Sequence, residues 1–385
     1  MQIDATSRST ATIMIMANSV WYLVNFRLSL IRLLIKNGLD VVAVAPQGED
    51  ATLLTEAGIR FIPFRIDSKG TNPLHDTALF LRIIRLIRRE RPAVFLGYTV
   101  KPNIYGGLAC RLLGTPAIHN ITGLGTAFIR DGWLTRIVKR MYQQAFEKAT
   151  IVYFQNRDDR KLFVESKLVT AKQAKLLPGS GVDLKFYSYS TLPRHEDASP
   201  FRFILIARLL WDKGIGEYVA AARQLKAEEQ SVQCDLLGFL GAENSSAIPS
   251  EMIEAWEQEG VISYLGSAKD VRPYIASADC VVLPSYREGT PRSLLEAASM
   301  GRPIITTDTV GCRETVEDGE TGFLCKPFDS EDLVRAMQRM MNLKQQDRSE
   351  MGQRARSKME TQFDEQIVLN SYISSIEVIL SGQKN

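Results

Sequence analysis

Little in this 385-residue chain points to metal or redox chemistry. It has three histidines and five cysteines, and Cys110, Cys234, Cys280, Cys312 and Cys325 are scattered, with no C-x-x-C pair and no His/Cys cluster. A reduced, cytoplasmic compartment is the expectation. No apolar run approaches the roughly eighteen residues of a membrane span, and residues 1–10 lack the basic-then-apolar order of a signal peptide. There is no Walker sequence and no G-x-G-x-x-G; Gly123-Leu-Gly125 is a lone G-x-G, which more often marks a turn. Asp158-Asp159 is adjacent rather than spaced as a metal-binding D-x-D, and capping of a helix is its better reading. No metal site is expected. No run interleaves aromatic and basic residues as single-strand binders do, so nucleic acid is not an expected partner.

What the chain does have is alternation. Apolar runs at 13–17, 41–45, 61–64, 93–96, 117–119, 151–154 and 174–177 read as strands, with helical periods between them at 26–37, 52–57, 74–90, 103–113 and 135–148. Unbroken runs such as Val41-Val-Ala-Val-Ala45 suit parallel strands covered on both faces. Residues 187–200 have linker composition, and the alternation restarts after them. Strands are expected at 201–207, 234–237, 262–265, 280–283, 303–307 and 322–325, and helices at 214–227, 250–259, 271–276, 291–300 and 331–341. The predicted fold class is α/β: two doubly wound, Rossmann-like parallel-sheet domains facing a cleft. The expected divisions are a first domain over 1–186, a linker over 187–200, a second domain over 201–362, and a helical segment over 363–385 that packs back on the first.

Charge separates the two halves. Residues 1–195 hold 27 Lys and Arg against 14 Asp and Glu, which leaves 20 against 30 for the remainder. A basic first half suits an anionic partner such as lipid headgroups or a lipid diphosphate; a solvated surface complementing the acidic half explains it equally simply. In 79–89, Leu79, Ile83, Leu86 and Ile87 share one side of a helix, flanked by Arg82, Arg85, Arg88 and Arg89, and 134–142 is similar. Such helices either lie on an anionic bilayer or cover a sheet with their basic face outward.

The chemistry concentrates in Ser285-Tyr-Arg-Glu-Gly-Thr-Pro-Arg-Ser-Leu-Leu-Glu-Ala-Ala-Ser-Met-Gly301. Pro291 suits the first helical position with Thr290 as its cap, and Gly301 suits the stop. Glu288 stands in the loop before the helix. Glu296 lies inside it among Leu294, Leu295, Ala297 and Ala298, where an unpaired charge is costly, so either a ligand or an arginine of the same domain must partner it. Arg208 and Lys213 follow the strand 201–207 and precede a helix, a position that favours an anion through free N–H groups and the helix dipole. A guanidinium fork plus an ammonium suits a diphosphate, which protein cations rather than a tightly held metal would then neutralise.

These residues resemble a known family. Glu288-Gly-Thr-Pro-Arg-Ser-Leu-Leu-Glu296 looks like the E-x7-E motif of retaining glycosyltransferases of the GT4 type, which have the two-domain GT-B architecture. Arg208-Leu-Leu-Trp-Asp-Lys213, Leu177-Pro-Gly-Ser-Gly-Val-Asp183, Gly311-Cys-Arg-Glu314 and Asp318-Gly-Glu-Thr-Gly-Phe-Leu324 fit the same family. Thr99-Val-Lys-Pro-Asn-Ile-Tyr-Gly106 and Ile121-Thr-Gly-Leu-Gly125 are similar to its branch acting on polyprenyl-diphosphate-linked sugars, which includes bacillosaminyl-lipid N-acetylgalactosaminyltransferases. The resemblance implies that Arg208 and Lys213 hold the donor diphosphate and that Glu296 accepts from ribose hydroxyls. Glu288 would be the catalytic residue, facing the donor sugar's reacting carbon and stabilising positive charge that develops there, with the backbone of Gly289 and Thr290 beside the sugar. Lys101 is a candidate contact for the acceptor diphosphate or else a surface lysine. The implied reaction moves a hexose or N-acetylhexosamine from a UDP-sugar co-substrate to a lipid-linked acceptor at an anionic inner-membrane surface, with no tightly bound cofactor. Two departures stand out: Thr122-Gly123 occupies the place of a family histidine, with His119 earlier, and Ala17-Asn-Ser-Val20 replaces a glycine-rich loop. A sugar-nucleotide 2-epimerase and a non-catalytic sugar-nucleotide-binding protein are the alternative readings.

Overall fold

The computed structural model describes residues 11–67, 72–124, 133–193, 199–241, 244 and 246–382. The chain divides into two compact units, Met1–Ser180 with Gln366–Asn385, and Gly181–Glu365. In the first, β1 (Thr12–Met16), β2 (Asp40–Ala45), β3 (Arg60–Pro63), β4 (Val94–Tyr98), β5 (Ala117–Ile121), β6 (Ile151–Phe154) and β7 (Ala174–Leu176) pair in parallel in the order β3-β2-β1-β4-β5-β6-β7. Alternate residues face opposite sides. Ile13, Ile15, Val41 and Ala43 pack with Leu23, Leu30, Ile31 and Leu34 of the helix Val20–Lys36. Met14, Met16, Val42 and Val44 pack with Leu79, Ile83 and Ile87 of the helix Pro73–Glu90. Both faces are apolar because both are covered, which is why these strands read as unbroken runs.

Two sequence expectations change here. Leu79, Ile83, Leu86 and Ile87 are buried in this core, so that side of the helix covers the sheet and is not a membrane face. The first helix begins at Val20 rather than Phe26. Ser19 caps it by accepting from the Tyr22 N–H, and the buried Arg27 interrupts its apolar side, with its guanidinium 4.3 Å from the Tyr98 ring centre and donating to the Tyr22 hydroxyl. The last helix, Glu365–Gly382, contributes Val368, Leu369, Tyr372 and Ile376 to the first unit's core. Asn120 Nδ2 donates to the Tyr372 hydroxyl at 2.8 Å, and the Tyr153 hydroxyl meets Ser375 Oγ at 2.6 Å.

In the second unit, β8 (Phe201–Ile206), β9 (Val232–Leu237), β10 (Ser263–Tyr264), β11 (Cys280–Leu283), β12 (Ile304–Thr307) and β13 (Gly322–Cys325) form a parallel sheet in the order β10-β9-β8-β11-β12-β13. The segment expected as a linker, 187–200, belongs to this unit, and its residues 194–198 lie outside the described ones. Composition misleads there because side chains distant in sequence tie the segment down, Arg302 above all. The buried Arg302 donates to the carbonyls of Ser190 and Thr191 at 2.8 and 3.0 Å and to Ser190 Oγ at 3.0 Å. Burial pushes its guanidinium down to about 10. A helix over Gln345–Lys358 went unforeseen: its inward residues are Arg348, Met351, Gly352 and Ala355, which make no apolar stripe. Gly352 lies so close to the Gly301 carbonyl that a side chain there would overlap it.

Each sheet reverses its winding once. In the first unit the chain leaves β1 towards β2 and later enters β4 on the other side; in the second it does the same around β8 and β11. Crevices at such reversals, beyond the carboxyl ends of the strands, are where ligands sit in open α/β sheets.

Candidate functional site

The loops after β8 and β11 flank the reversal of the second unit, and they are fastened together. The Asp212 carbonyl accepts from the Tyr286 N–H and from Ser285 Oγ, both at 3.0 Å. Gly214, with φ +71°, packs against the Pro284 carbonyl, where any Cβ would overlap. The Glu288 N–H donates to the Val310 carbonyl at 3.0 Å, and Gly311, with φ +83°, gives the Glu288 carbonyl its room in the same way. Glycine is required at both places by conformation and by space.

On this frame Lys213 and Glu288 meet as an ion pair, each side chain 15 % exposed. Arg208 is exposed at the carboxyl end of β8. Gly289 is buried and Thr290 half-buried. The helix starts one residue later than the sequence suggested: Pro291 has ψ 112°, which is extended backbone, so Pro291 rather than Thr290 stands at the N-cap of the helix Arg292–Ser299. Gly301 ends it with φ +76°, as expected.

Glu296 is 7 % exposed, and the free protein gives it two partners. Arg292, one turn earlier, places Nε 2.8 Å from Oε1, and the Tyr187 hydroxyl favours the charged form of the same carboxylate. Burial raises the Glu296 carboxyl above the usual range, and Arg292 and Tyr187 pull against it. The arginine was legible as an i, i+4 neighbour. Tyr187 was not, because nothing local connects 187 to 296.

The first unit's reversal carries a different cluster. Thr99, at the end of β4, has φ +65°, a rare conformation for a β-branched residue. Its hydroxyl accepts from the Asn18 N–H, which joins the loops after β4 and β1. A π-helical turn over Pro102–Gly106 follows. Both irregularities are of the kind that gathers at functional sites. Lys101 Nζ lies 2.8 Å from Asp76 Oδ1, with side chains 14 % and 15 % exposed, so Lys101 is not a solvated surface lysine. His119 stands apart from this edge. It is buried, its Nδ1 is 3.1 Å from Asn103 Oδ1, and burial pushes it down to about 3, which keeps it neutral. Gly125 of the lone G-x-G lies outside the described residues.

Comparison with known proteins follows the same division of the chain. Residues 12–156 match the model for "Glycosyl transferase 4-like" and residues 194–358 the model for "Glycosyl transferases group 1". The chain is 25 % identical over 373 residues to N,N'-diacetylbacillosaminyl-diphospho-undecaprenol alpha-1,3-N-acetylgalactosaminyltransferase of Campylobacter jejuni, covering 93 % of this chain and 96 % of the relative. It is 23 % identical over 348 residues to the capsular polysaccharide biosynthesis glycosyltransferase CapM of Staphylococcus aureus, covering 88 % and 90 %. Among solved structures, Anabaena HepE in complex with UDP is similar with TM-score 0.74 at 19 % identity, covering 97 % of this chain and all of that one (100 %). A glycosyltransferase from Rickettsia africae gives TM-score 0.77 at 16 % identity, covering 97 % and 99 %.

Proposed function

The chain is a glycosyltransferase with a 4-like first half and a group 1 second half, and from that premise we propose that it moves a hexose or N-acetylhexosamine from a UDP-sugar to a polyprenyl-diphosphate-linked sugar, with retention of configuration, in surface-glycan or glycoprotein-glycan assembly. The observation that carries this reading is the meeting of Lys213 and Glu288 across the winding reversal of one sheet, with Arg208 at the end of β8 and Glu296 buried in the helix after β11. Arg208 and Lys213 bind the donor diphosphate, whose negative charge grows as the sugar–oxygen bond breaks, and preorganised cations stabilise that charge. Glu296 accepts hydrogen bonds from the ribose hydroxyls. Gly289 and Thr290 border the donor sugar, and Glu288 faces its reacting carbon, where a carboxylate favours developing positive charge. Lys101 contacts the acceptor diphosphate. No tightly bound cofactor takes part.

The donor and acceptor classes come from the company this chain keeps: the Campylobacter relative is named for a diphospho-undecaprenol acceptor, and HepE was crystallised with UDP. Among the described residues no helix is long and apolar enough to cross a membrane. Work on a lipid-linked acceptor at the cytoplasmic face therefore calls for a peripheral contact. The exposed Leu74, Leu81 and Leu112, together with Arg85 and Arg88, supply apolar and basic groups for an anionic surface. Mass spectrometry of products from a panel of UDP-sugars and lipid diphosphate acceptors tests the reading; one sugar added to a lipid diphosphate is expected. Epimerised donor without acceptor, or UDP binding with no turnover, overturns it. An inverted anomeric linkage overturns retention alone.

A further inference from the structure

Both acids of the Glu288–Glu296 stretch already have a cation. Lys213 pairs with Glu288 and Arg292 with Glu296. The loops that carry the first pair cannot move apart to separate it. They are joined through the Asp212 carbonyl and through Gly214 against Pro284, and the Glu288 backbone is held in turn by Val310 and Gly311 of the loop after β12. What remains adjustable is the pair of side chains. Each is 15 % exposed, so solvent screens their attraction less than on an open surface.

We infer that the Lys213–Glu288 pair is an internal lock on the anion site: the Glu288 carboxylate occupies the ammonium until a diphosphate displaces it. The inference rests on the donor-site reading above. One anion exchanges for another at Lys213, and no covalent bond changes. The displaced carboxylate is repelled by the arriving phosphates and turns towards the donor sugar that it serves in the reading above. Glu288 is thus released only in a loaded site, and an empty site holds no free carboxylate beside a free ammonium. The competition also has a direction. Because the acid opposes diphosphate binding, removing its charge strengthens that binding even as it removes the group that serves the sugar carbon.

Calorimetric titration of UDP and of inorganic pyrophosphate into the wild type, E288Q, K213Q and the double variant tests this. E288Q is expected to bind both anions about tenfold tighter than wild type. In the K213Q background the E288Q change should leave binding unaltered, since the gain runs through that ammonium. Unchanged or weaker binding by a folded E288Q overturns the lock, as does an equal gain without Lys213, which would mean general charge repulsion. If pyrophosphate tightens but UDP binds to no protein, the lock stands and the UDP-donor reading falls. If neither anion binds any of the four proteins, both fall. Should E288Q unfold, E288A serves as the second variant under the same criteria.

Discussion

The two sheets reverse their winding in the same way, yet they hold a lysine–carboxylate pair differently there. In the second unit, Lys213 follows β8 and Glu288 follows β11, so the pair spans the reversal itself. In the first unit, Lys101 follows β4, and Asp76 belongs to the helix that leads into β4, so the pair lies to one side. The reversal there is bridged by a neutral contact, the Asn18 N–H on the Thr99 hydroxyl. On the lock inferred above, an anion entering the second crevice displaces Glu288 from Lys213, whereas one entering the first can leave its pair standing. Similar charges, placed across or beside a crevice, make one site exchange partners and let the other keep them.

The largest expected effect separates the two pairs by their role in turnover. E288A should lower kcat about a thousandfold while UDP binds more tightly, read by single-turnover assay against titration; equal activity removes Glu288 from the chemistry. K213A should raise the UDP dissociation constant and cut kcat/KM by about a hundredfold, with acceptor KM unchanged. In the first unit, K101Q should raise acceptor KM about tenfold with UDP affinity untouched, and D76N, which leaves the ammonium uncompensated, should lower it. A shift in UDP affinity from either change would erase the distinction between the crevices.

The smallest effect concerns Glu296. Its folded carboxyl titrates above the unfolded one because of burial. Proton binding therefore favours the folded state at low pH, and that contribution is lost as pH rises through the raised value. E296Q, which carries no charge to bury, should raise Tm relative to wild type by a few degrees at about pH 7, with the gain shrinking towards about pH 4. A gain that is constant with pH would show that Arg292 and Tyr187 fully compensate the acid. UDP binding by E296Q should weaken as ribose contacts are lost.

How far these features were legible depended on whether their causes were local. Both parallel sheets followed from unbroken apolar runs, and so did the places of Arg208, Lys213 and Glu288 in loops after strands and of Glu296 among the packing residues of a helix. Partners distant in sequence were not. Tyr187 reaches Glu296 from a stretch whose composition says linker, and Asp76 reaches Lys101 from a helix whose pattern speaks only of packing. The helix Gln345–Lys358 escaped because it buries an arginine and a glycine rather than a stripe of leucines. The start of the helix Val20–Lys36 escaped because Arg27 sits on its inward side among tyrosines. Periodicity reports burial through hydrophobicity, and fails where a guanidinium or a close backbone contact does the packing.

The last helix has a consequence for how the protein is made. Val368, Leu369, Tyr372 and Ile376 complete a core whose other walls are built from residues between Ile13 and Leu177. A ribosome finishes those walls long before it reaches position 368, and meanwhile it synthesises the whole second unit. During that interval the nascent first unit presents an apolar groove, with the Asn120 amide and Tyr153 hydroxyl still waiting for Tyr372 and Ser375. The second unit, contiguous from Gly181 to Glu365, has no such wait. Synthesis order and folding order are therefore reversed: the half begun first is the half completed last.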